Sequence, residues 1–406
     1  MDPSQGWVQP PLGDATAVER QANRFLLLYA LACAGGAVAY VPFLTILLPV
    51  KVSALAGQGS DASWMAYMAF AGAVVASLGG IGFGYLSDVT KDRRRLTGLG
   101  LVLSSGMLLI VSQANSLIGL LVVVVAWQIC LNLMLAPLTA WAADSIPNDR
   151  RGLLGGLLAF APAMGALVGV LITLSSSVTP NGRLVMVVLI VFACIVPVLI
   201  VGAPQGVQDK EEGEPVGPAS APLSAARAMW IARLVIQVAQ VSLFSFLFFW
   251  FRSIDPTASD RQTASIFGAI QIVSAPLALM IGRWADRNRS PHIALVACAL
   301  LASVALIIMA LAKVLPIAIA AYGLFGFATS VFLALHSAQT LTVLPRPDRR
   351  GRDLGLFNLT NTMPSLIMPW FTLALVPNFG FSGLFLLLSL LTFGASLVLG
   401  GLGRRL

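Results

Sequence analysis

Long apolar runs without a charged side chain alternate with short polar segments along almost the whole chain. The charge-free runs are 25–50, 62–87, 96–143, 152–182, 184–208, 234–251, 262–282, 290–312, 314–345 and 354–403. A helix that crosses the hydrocarbon core of a bilayer needs about 20 residues, so most of these runs predict one crossing helix each. The runs are continuously apolar rather than alternating, which argues against a membrane β-barrel. The pattern predicts an all-α integral membrane protein.

Two of the runs are too long for one crossing. The run 96–143 has 48 residues and the run 354–403 has 50. Each carries turn-forming residues near its middle, at Gln113–Ser116 and at Pro377–Gly380. Two helices from each of these runs and one from each of the other eight give twelve transmembrane helices.

Composition supports this interpretation. Of the 406 residues, 58% are hydrophobic and only 10% are charged, whereas a soluble domain has about 25% charged residues. A soluble enzyme and a disordered chain are both excluded on these grounds. The cysteines all lie inside apolar runs, which favours core packing over disulfides or metal ligands. The first twenty residues show no cleavable signal peptide, so we expect the first helix to remain in the mature protein.

The basic residues are distributed unevenly between the two sides of the predicted bundle. With both termini on one side, that side holds 20 Lys and Arg residues and the other side holds 5. The positive-inside rule therefore predicts that both termini are cytoplasmic. The net charge of +8 is explained by topology, so we expect a lipid bilayer as the surroundings and no nucleic acid as a partner.

The chain repeats itself with an offset of about two hundred residues. Gly84–Asp88 ends the second span and Gly282–Arg287 ends the eighth, and their aspartates Asp88 and Asp286 are 198 positions apart. The segments Asp149–Gly152 and Asp348–Gly351 have the same residues, Asp-Arg-Arg-Gly, at an offset of 199. Two anchors at nearly one offset predict two six-helix halves. We divide the chain into a cytoplasmic tail 1–23, a first half 24–202, a polar cytoplasmic linker 203–224, a second half 225–403 and a tail 404–406.

With twelve spans in two halves and a basic loop after the second and eighth spans, the whole chain resembles the major facilitator superfamily. The resemblance implies two pseudo-symmetric halves that rock around a central cavity and give alternating access. The first loop departs from the family pattern, because Val89, Thr90 and Lys91 follow Asp88, although the basic residues Arg93–Arg95 are kept.

A finer resemblance concerns the sucrose-type and glycoside–pentoside–hexuronide carriers. It rests on Arg352–Asn358 with Asn361 and Pro364 after it, and on Ala142–Pro147 with Arg151 and Gly152 after it. This resemblance implies uptake of a sugar or glycoside.

Charged residues at the ends of spans are candidates for gating. Asp88 with Arg93, and Asp286 with Arg287, are expected to form a charge–dipole lock between helices that breaks when the protein opens inward. Asp144 ends the fourth span near the same face and is a further member. The alternative is that these residues are solvated anchors.

Every acidic residue lies in a loop or at a span end, so the predicted cavity is neutral. Amides and aromatic rings suit an uncharged, polyhydroxylated ligand, because amides both donate and accept hydrogen bonds and rings cover the apolar face of a sugar. The candidate substrate-binding residues are Tyr29, Tyr40, Gln128, Asn132, Gln237, Gln240, Asn358 and Asn361. The alternative is that the amides hold packed helices together. Arg24 and Arg233 lie near span ends and could contact an anion or extend to the interface.

His336 is the one residue well inside a charge-free run that titrates near neutral pH. Tyr322 and Thr329 precede it at seven-residue steps, on one face of the tenth span. In the sucrose-type carriers an acidic residue often stands there, so the resemblance implies a proton-coupling role for His336. A neutral histidine hydrogen-bonded to a neighbouring helix is the alternative.

The sequence favours a carrier over an enzyme. It has no Gly-rich P-loop followed by Lys, only two histidines and no HExxH motif, so we expect no catalytic residues, no metal and no cofactor. We expect a monomer in the cell membrane, a bacterial inner membrane, which takes up a small-molecule substrate, a sugar or glycoside, by symport with a proton. A proton-driven exporter of amphipathic or organic-acid compounds is the main alternative, followed by a membrane-embedded enzyme or receptor.

Overall fold

The computed structural model describes residues 12–56, 60–145, 157–158, 160–175, 177–202, 223–287, 291–343 and 350–402. Within these residues every regular element is a helix. The helices are α1 (Leu12–Pro42), α2 (Asp61–Thr90), α3 (Arg93–Ile110), α4 (Leu117–Ser145), α5 (Ala161–Thr173), α6 (Pro180–Val201), α7 (Leu223–Ile254), α8 (Asp260–Arg287), α9 (Pro291–Leu311), α10 (Leu315–Val343), and a stretch Arg350–Leu402 that Gly380 divides into α11 (350–379) and α12 (381–402). The first helix continues through a π-helical turn, Phe43–Leu47, into a final segment, Leu48–Ala56.

The two predicted breaks inside long apolar runs are confirmed. A short 3₁₀ turn, Val111–Gln113, ends the third span, and α4 begins at Leu117. In the second run Gly380 has a φ of 65° and a ψ of −171°, which a residue without a Cβ adopts at little cost. In the described part of the chain nine helices are long and apolar enough to cross a bilayer, and one of them, Thr360–Gly401, has 42 residues, enough for two crossings.

One short turn, Lys91–Asp92, joins α2 to α3 and caps the end of one helix and the start of the other. Lys91 ends α2 in the left-handed conformation, with a φ of 53°, and its backbone N–H donates to the Ser87 carbonyl. Asp92 then caps α3 by accepting a hydrogen bond from the Arg95 backbone N–H at 3.1 Å. This turn, together with the end of α8 at Arg287, marks what we term the basic end of the bundle. The opposite end, which carries Ser53, Arg183, Arg252 and Asp260, is termed the far end.

Corresponding helix pairs pack together in the two halves. α1 packs on α6 with Gly35 against Cys194, and in the second half α7 packs on α12 with the Trp250 and Phe385 rings 5.0 Å apart at their centroids. α3 packs on α4, and likewise α9 on α10. The same set of neighbours thus recurs at an offset of six helices, as the sequence repeat predicts.

Two helix pairs join the halves, and they are also equivalent under the repeat. α2 packs on α11, where the Phe70 and Trp370 rings meet edge to face with centroids 5.5 Å apart. α8 packs on α5, where the backbone of Gly268 approaches Val170 so closely that a Cβ would lie 2.5 Å from the valine Cγ2. The exact boundaries of the five predicted parts stay predictions, and most of the linker 203–224 lies outside the described residues.

Candidate functional site

A cavity with a volume of about 180 Å³ lies between the two halves, walled by helices of both. Its wall consists of Tyr40 and Val41 of α1, Pro162 of α5, Gln240, Val241, Leu243 and Phe244 of α7, Phe267 and Gln271 of α8, and Tyr322, Phe325, Gly326 and Thr329 of α10. All of these residues are uncharged. The arrangement combines an apolar, largely aromatic surface with a few polar groups, as in most small-molecule sites.

Close helix packing holds the aromatic part of the wall in place. A Cβ on Gly326 would come within 2.6 Å of the Ile270 side chain, so the small residue lets α10 approach α8. The Phe244 and Phe267 rings, from α7 and α8, meet edge to face with their centroids 6.0 Å apart. The cavity wall is therefore built from rings that neighbouring helices fix.

Four side chains supply the polar groups of the cavity that are suited to a ligand. Tyr40 and Tyr322 present phenolic hydroxyls, and Gln240 and Gln271 present amides that can donate and accept. The Thr329 hydroxyl also lines the cavity, but it donates to the Phe325 carbonyl of its own helix at 3.0 Å. The cavity can thus satisfy hydroxyl or amide groups of a ligand, and its wall carries no charge to balance that of an ion.

A polar cluster lies on α7 between this cavity and the basic end. Arg233 and Gln237 precede Gln240 and Phe244 on one face of the helix, at spacings of three or four residues. The Gln237 Nε2 donates to the Asn361 Oδ1 of α11 at 2.8 Å, and the Arg233 Nη2 donates to the same oxygen at 3.3 Å. The buried Gln237 Oε1 accepts no hydrogen bond from the described residues. Gln237 and Asn361, both predicted as binding residues, thus contact each other outside the wall of the cavity.

His336 is fully buried, and its Nε2 lies 2.8 Å from the Met229 carbonyl oxygen of α7. A carbonyl only accepts, so this nitrogen carries a proton and the ring donates. The Phe332 ring lies one turn away, with its centroid 5.6 Å from that of the imidazole. This geometry matches the predicted alternative of a bond between helices. His336 nevertheless shares its helix face with Tyr322 and Thr329, which do line the cavity.

Two of the predicted binding residues, Tyr29 and Asn132, make contacts within the first half instead of lining the cavity, and Gln128 is not part of the cavity wall. The buried Tyr29 hydroxyl donates to the Leu138 carbonyl at 3.0 Å and so links α1 to α4. The Asn132 Nδ2 donates to the Gln128 carbonyl at 2.8 Å, and Asn132 lies beside Gly79 of α2. Of the predicted binding residues, Tyr40 and Gln240 line the cavity.

The predicted gating residues are described in part. Asp88 pairs with Arg93 at 3.0 Å across the α2–α3 turn, and Arg93 also donates to the Ser87 hydroxyl at 3.2 Å. This pair joins the ends of α2 and α3, and its role as a lock that breaks when the protein opens inward stays a prediction. The side chains of Asp144, Asp286, Arg287 and Asn358 lie outside the described residues, although their backbones are helical.

Gln271 is a polar cavity residue that the sequence pattern did not single out, and the rings of Phe244, Phe267 and Phe325 were not predicted either. Gln271 lies in α8, whose charge-free run 262–282 also contains Gln262 at an exposed position, so the type of residue alone did not distinguish the two. Tyr322 and Thr329 share a helix face with His336 in the sequence pattern, and both line the cavity. The seven-residue spacing of these polar residues was therefore a sequence signal for the cavity.

Comparisons with known proteins agree with this architecture. The family model described as Major Facilitator Superfamily matches residues 25–287 and 229–404. No curated protein matches the chain. A crystal structure of the human organic anion transporter MFSD10 (TETRAN) is similar with a TM-score of 0.65 at 17% identity, covering 96% of this chain and 100% of that one.

Two further solved structures show the same fold. A bacterial homolog of the human lysosomal transporter Spinster, in an inward-facing and occupied conformation, has a TM-score of 0.73 at 14% identity and covers 95% of this chain and 97% of that one. A peptide transporter, POT, in complex with sulfate has a TM-score of 0.71 at 13% identity, with 94% of each chain covered. At these identities the likeness extends to the fold.

Proposed function

Because this chain belongs to the major facilitator superfamily and is a secondary transporter rather than an enzyme, we propose that its substrate is an uncharged, ring-bearing solute such as a glycoside. The observation that carries the proposal is the composition of the cavity wall. Two phenols and two amides face a space otherwise bounded by rings, aliphatic side chains and the Thr329 hydroxyl, which is bonded within its own helix. The apolar face of a sugar or aglycone would pack on Phe244 and Phe267, and its hydroxyls would bond the amides.

The size of the cavity suits a small substrate. A volume of about 180 Å³ accommodates one ring system with its substituents. The charge of the wall limits it further, because a charged group without a partner in a low-dielectric cavity costs several kcal/mol. The geometry therefore favours one sugar ring, or one sugar ring with a small aglycone.

Thermal unfolding of the purified protein with added solutes tests this proposal. We expect an uncharged aryl glycoside to raise the unfolding temperature, and Gln240→Leu or Gln271→Leu to remove that rise, since leucine cannot bond a hydroxyl. Gln262→Leu is the matched control, because Gln262 lies on the same helix as Gln271 but is exposed and does not line the cavity. Stabilisation by organic anions alone, or equal effects of all three substitutions, would contradict the proposal.

One observation favours a second substrate class, amphipathic organic acids exported from the cell. Arg233 lies on the cavity-facing stripe of α7, within the span Arg227–Ile254, where its guanidinium contacts Asn361. A carboxylate on the substrate could approach this guanidinium from the cavity. In that case Arg233→Gln would remove stabilisation by anions, whereas stabilisation by glycosides would survive.

Proton coupling through His336 extends the proposal. The histidine lies two turns from Thr329 on the same face of α10 and bonds α7 through Met229, so it touches both helices that form most of the cavity wall. In its protonated form the imidazole would also be repelled by the nearby guanidinium of Arg233. A change in the protonation of His336 would therefore alter the contact between α7 and α10.

The variant His336→Gln separates the two roles of this residue. A glutamine amide can donate to the Met229 carbonyl as the imidazole does, but it does not titrate near neutral pH. We expect accumulation driven by a pH gradient to be lost in proteoliposomes and passive exchange of substrate to continue. Unchanged accumulation would reject the coupling role and leave Asp144 or Asp286 as the next candidates.

The remaining parts of the proposal concern the setting of the transporter. The proposed cytoplasmic location of both termini rests on the uneven distribution of Lys and Arg. The short loops and compact chain favour a bacterial inner membrane, and uptake by a monomer is part of the same proposal. A reporter that is active only in the cytoplasm should be active when fused to the C-terminus. It should be inactive when inserted in the loop before α8. The narrower relation to sucrose-type carriers rests on the segments around Asp144 and Asn358.

A further inference from the structure

An ion pair at the far end joins the two halves. The Arg183 Nη1, near the start of α6, contacts the Asp260 Oδ2 at the first residue of α8. The two side chains are only 13% and 24% exposed. A pair that is shielded to this degree is screened less by salt and water than a surface pair, so removal of one partner leaves a poorly solvated charge.

A second contact at the far end also joins the halves. Arg252, in the last turn of α7, donates through Nη1 to the Ser53 hydroxyl in the final segment of the first span, at 3.2 Å. The guanidinium also lies 5.2 Å from the centre of the Phe248 ring, which fixes its direction. Four helices, α1, α6, α7 and α8, are therefore tied at the far end by side-chain contacts that both involve arginine.

At the basic end, the helices that join the halves expose large side chains. Tyr85 of α2 is 72% exposed and Trp284 of α8 is 56% exposed. Nearer the far end, the same two helices pack tightly on α11 through Phe70 and on α5 through Gly268. The side-chain contacts between the halves that the structure describes thus lie toward the far end, whereas most side chains at the basic ends of α4, α8, α10 and α11 lie outside the described residues.

We propose that Arg183–Asp260 and Arg252–Ser53 form a latch that holds the two halves together at the far end and closes the cavity there. Breaking both contacts is then part of the transition that opens the far end. The latch involves neither the cavity wall nor a substrate, so it stands or falls independently of the proposed function. The charged side chains make the latch specific, because Arg183 needs an acidic partner at one position, whereas an apolar side chain could pack on many neighbours.

Spin-label distances across the far end test the latch in the purified, full-length protein in lipid nanodiscs. The labels are placed at Ser177 and Pro256, exposed positions in the loops before α6 and before α8, after the four native cysteines have been replaced. Without substrate we expect a single population of molecules, with a short distance between the two labels. Arg183→Gln or Asp260→Asn should raise a longer-distance population by roughly fivefold, as the loss of a contact of this strength allows.

The charge exchange Arg183→Asp with Asp260→Arg should restore much of the short population. Recovery is expected to be partial, because an arginine at the first residue of α8 opposes the helix dipole. Arg261→Gln is the matched control, since Arg261 is exposed beside Asp260 and should leave the distances unchanged. If a variant at Arg183 fails to fold, Ser53→Ala removes only the second contact and should give a smaller rise. Unchanged distances in the folded variants, or an equal change in the control, would overturn the proposal.

Discussion

Gly100 is the position where the addition of one methyl group should perturb the bundle most directly. It is buried in α3, and a Cβ built there would lie 2.3 Å from the Met134 backbone nitrogen and 2.7 Å from the Leu133 carbonyl carbon of α4. Ordinary contacts begin at 3.4 Å, so Gly100→Ala requires the helices to separate by about 1 Å. Because the obstructing atoms belong to the backbone, no change of rotamer can relieve the overlap.

The magnitude follows from two opposed terms. Overpacking of a close-packed interface costs about 1–3 kcal/mol, and a backbone clash belongs at the upper end of that range. Alanine recovers up to about 1 kcal/mol through its higher helix propensity. We therefore expect Gly100→Ala to destabilise the protein by about 2 kcal/mol, seen as a lower unfolding temperature by tryptophan fluorescence in detergent. Gly106→Ala on the same helix meets no atom within 4 Å and should unfold no earlier than the parent. If Gly100→Ala unfolds at or above the temperature of Gly106→Ala, the reasoning is wrong.

Two further substitutions test local features of the helices. Lys91→Gly should stabilise the protein by about 0.5–1 kcal/mol, because glycine adopts the left-handed conformation at that helix end without a Cβ penalty; a lower unfolding temperature would contradict this. Ser303 of α9 and Ser389 of α12 donate to each other's carbonyls at 3.0 Å, so the alanine variants should show a coupling of about 0.5–1.5 kcal/mol in a double-mutant cycle. Additive effects of the two serine variants would show that the pair contributes no mutual stabilisation.

The position of the helices was readable from the sequence because charge is so costly in hydrocarbon. Each charge-free run long enough to cross a bilayer became a helix where the structure describes it, and the breaks fell at Gln113–Ser116 and near Gly380, as predicted. The offset between Asp88 and Asp286 likewise anticipated the repeated pattern of helix neighbours.

The rotation of each helix about its axis was much harder to read. A span surrounded by lipid and by other helices is apolar on every side, so it has no polar stripe to indicate which face points toward the centre. Tyr29 and Tyr40 illustrate the difficulty, since both were predicted to face the substrate. Only Tyr40 lines the cavity, whereas the Tyr29 hydroxyl bonds a carbonyl within its own half.

Contacts between distant parts of the chain were beyond the reach of sequence reasoning. Arg183 and Asp260 are separated by 77 positions and belong to different halves. Both lie on the side of the bundle with fewer basic residues, and nothing in the local sequence indicates that they meet. The two side chains come together only because α5 packs on α8, which brings the start of α6 close to the start of α8.

The distribution of these contacts suits a protein that switches between two states. Within each half the interfaces are extensive and buried; Trp250, Phe251 and Phe385 are each at most 2% exposed. Between the halves, the side-chain contacts described above are an ion pair, a hydrogen bond to a charged group and an edge-to-face ring pair. Contacts of these kinds contribute about 1 kcal/mol each, with a range of about 0.5–3. Their combined loss thus costs a few kcal/mol, which is the range in which a minor conformation stays populated at 0.1–10%. Loss of these contacts is therefore less costly than repacking the buried interfaces inside either half, as the proposed latch requires.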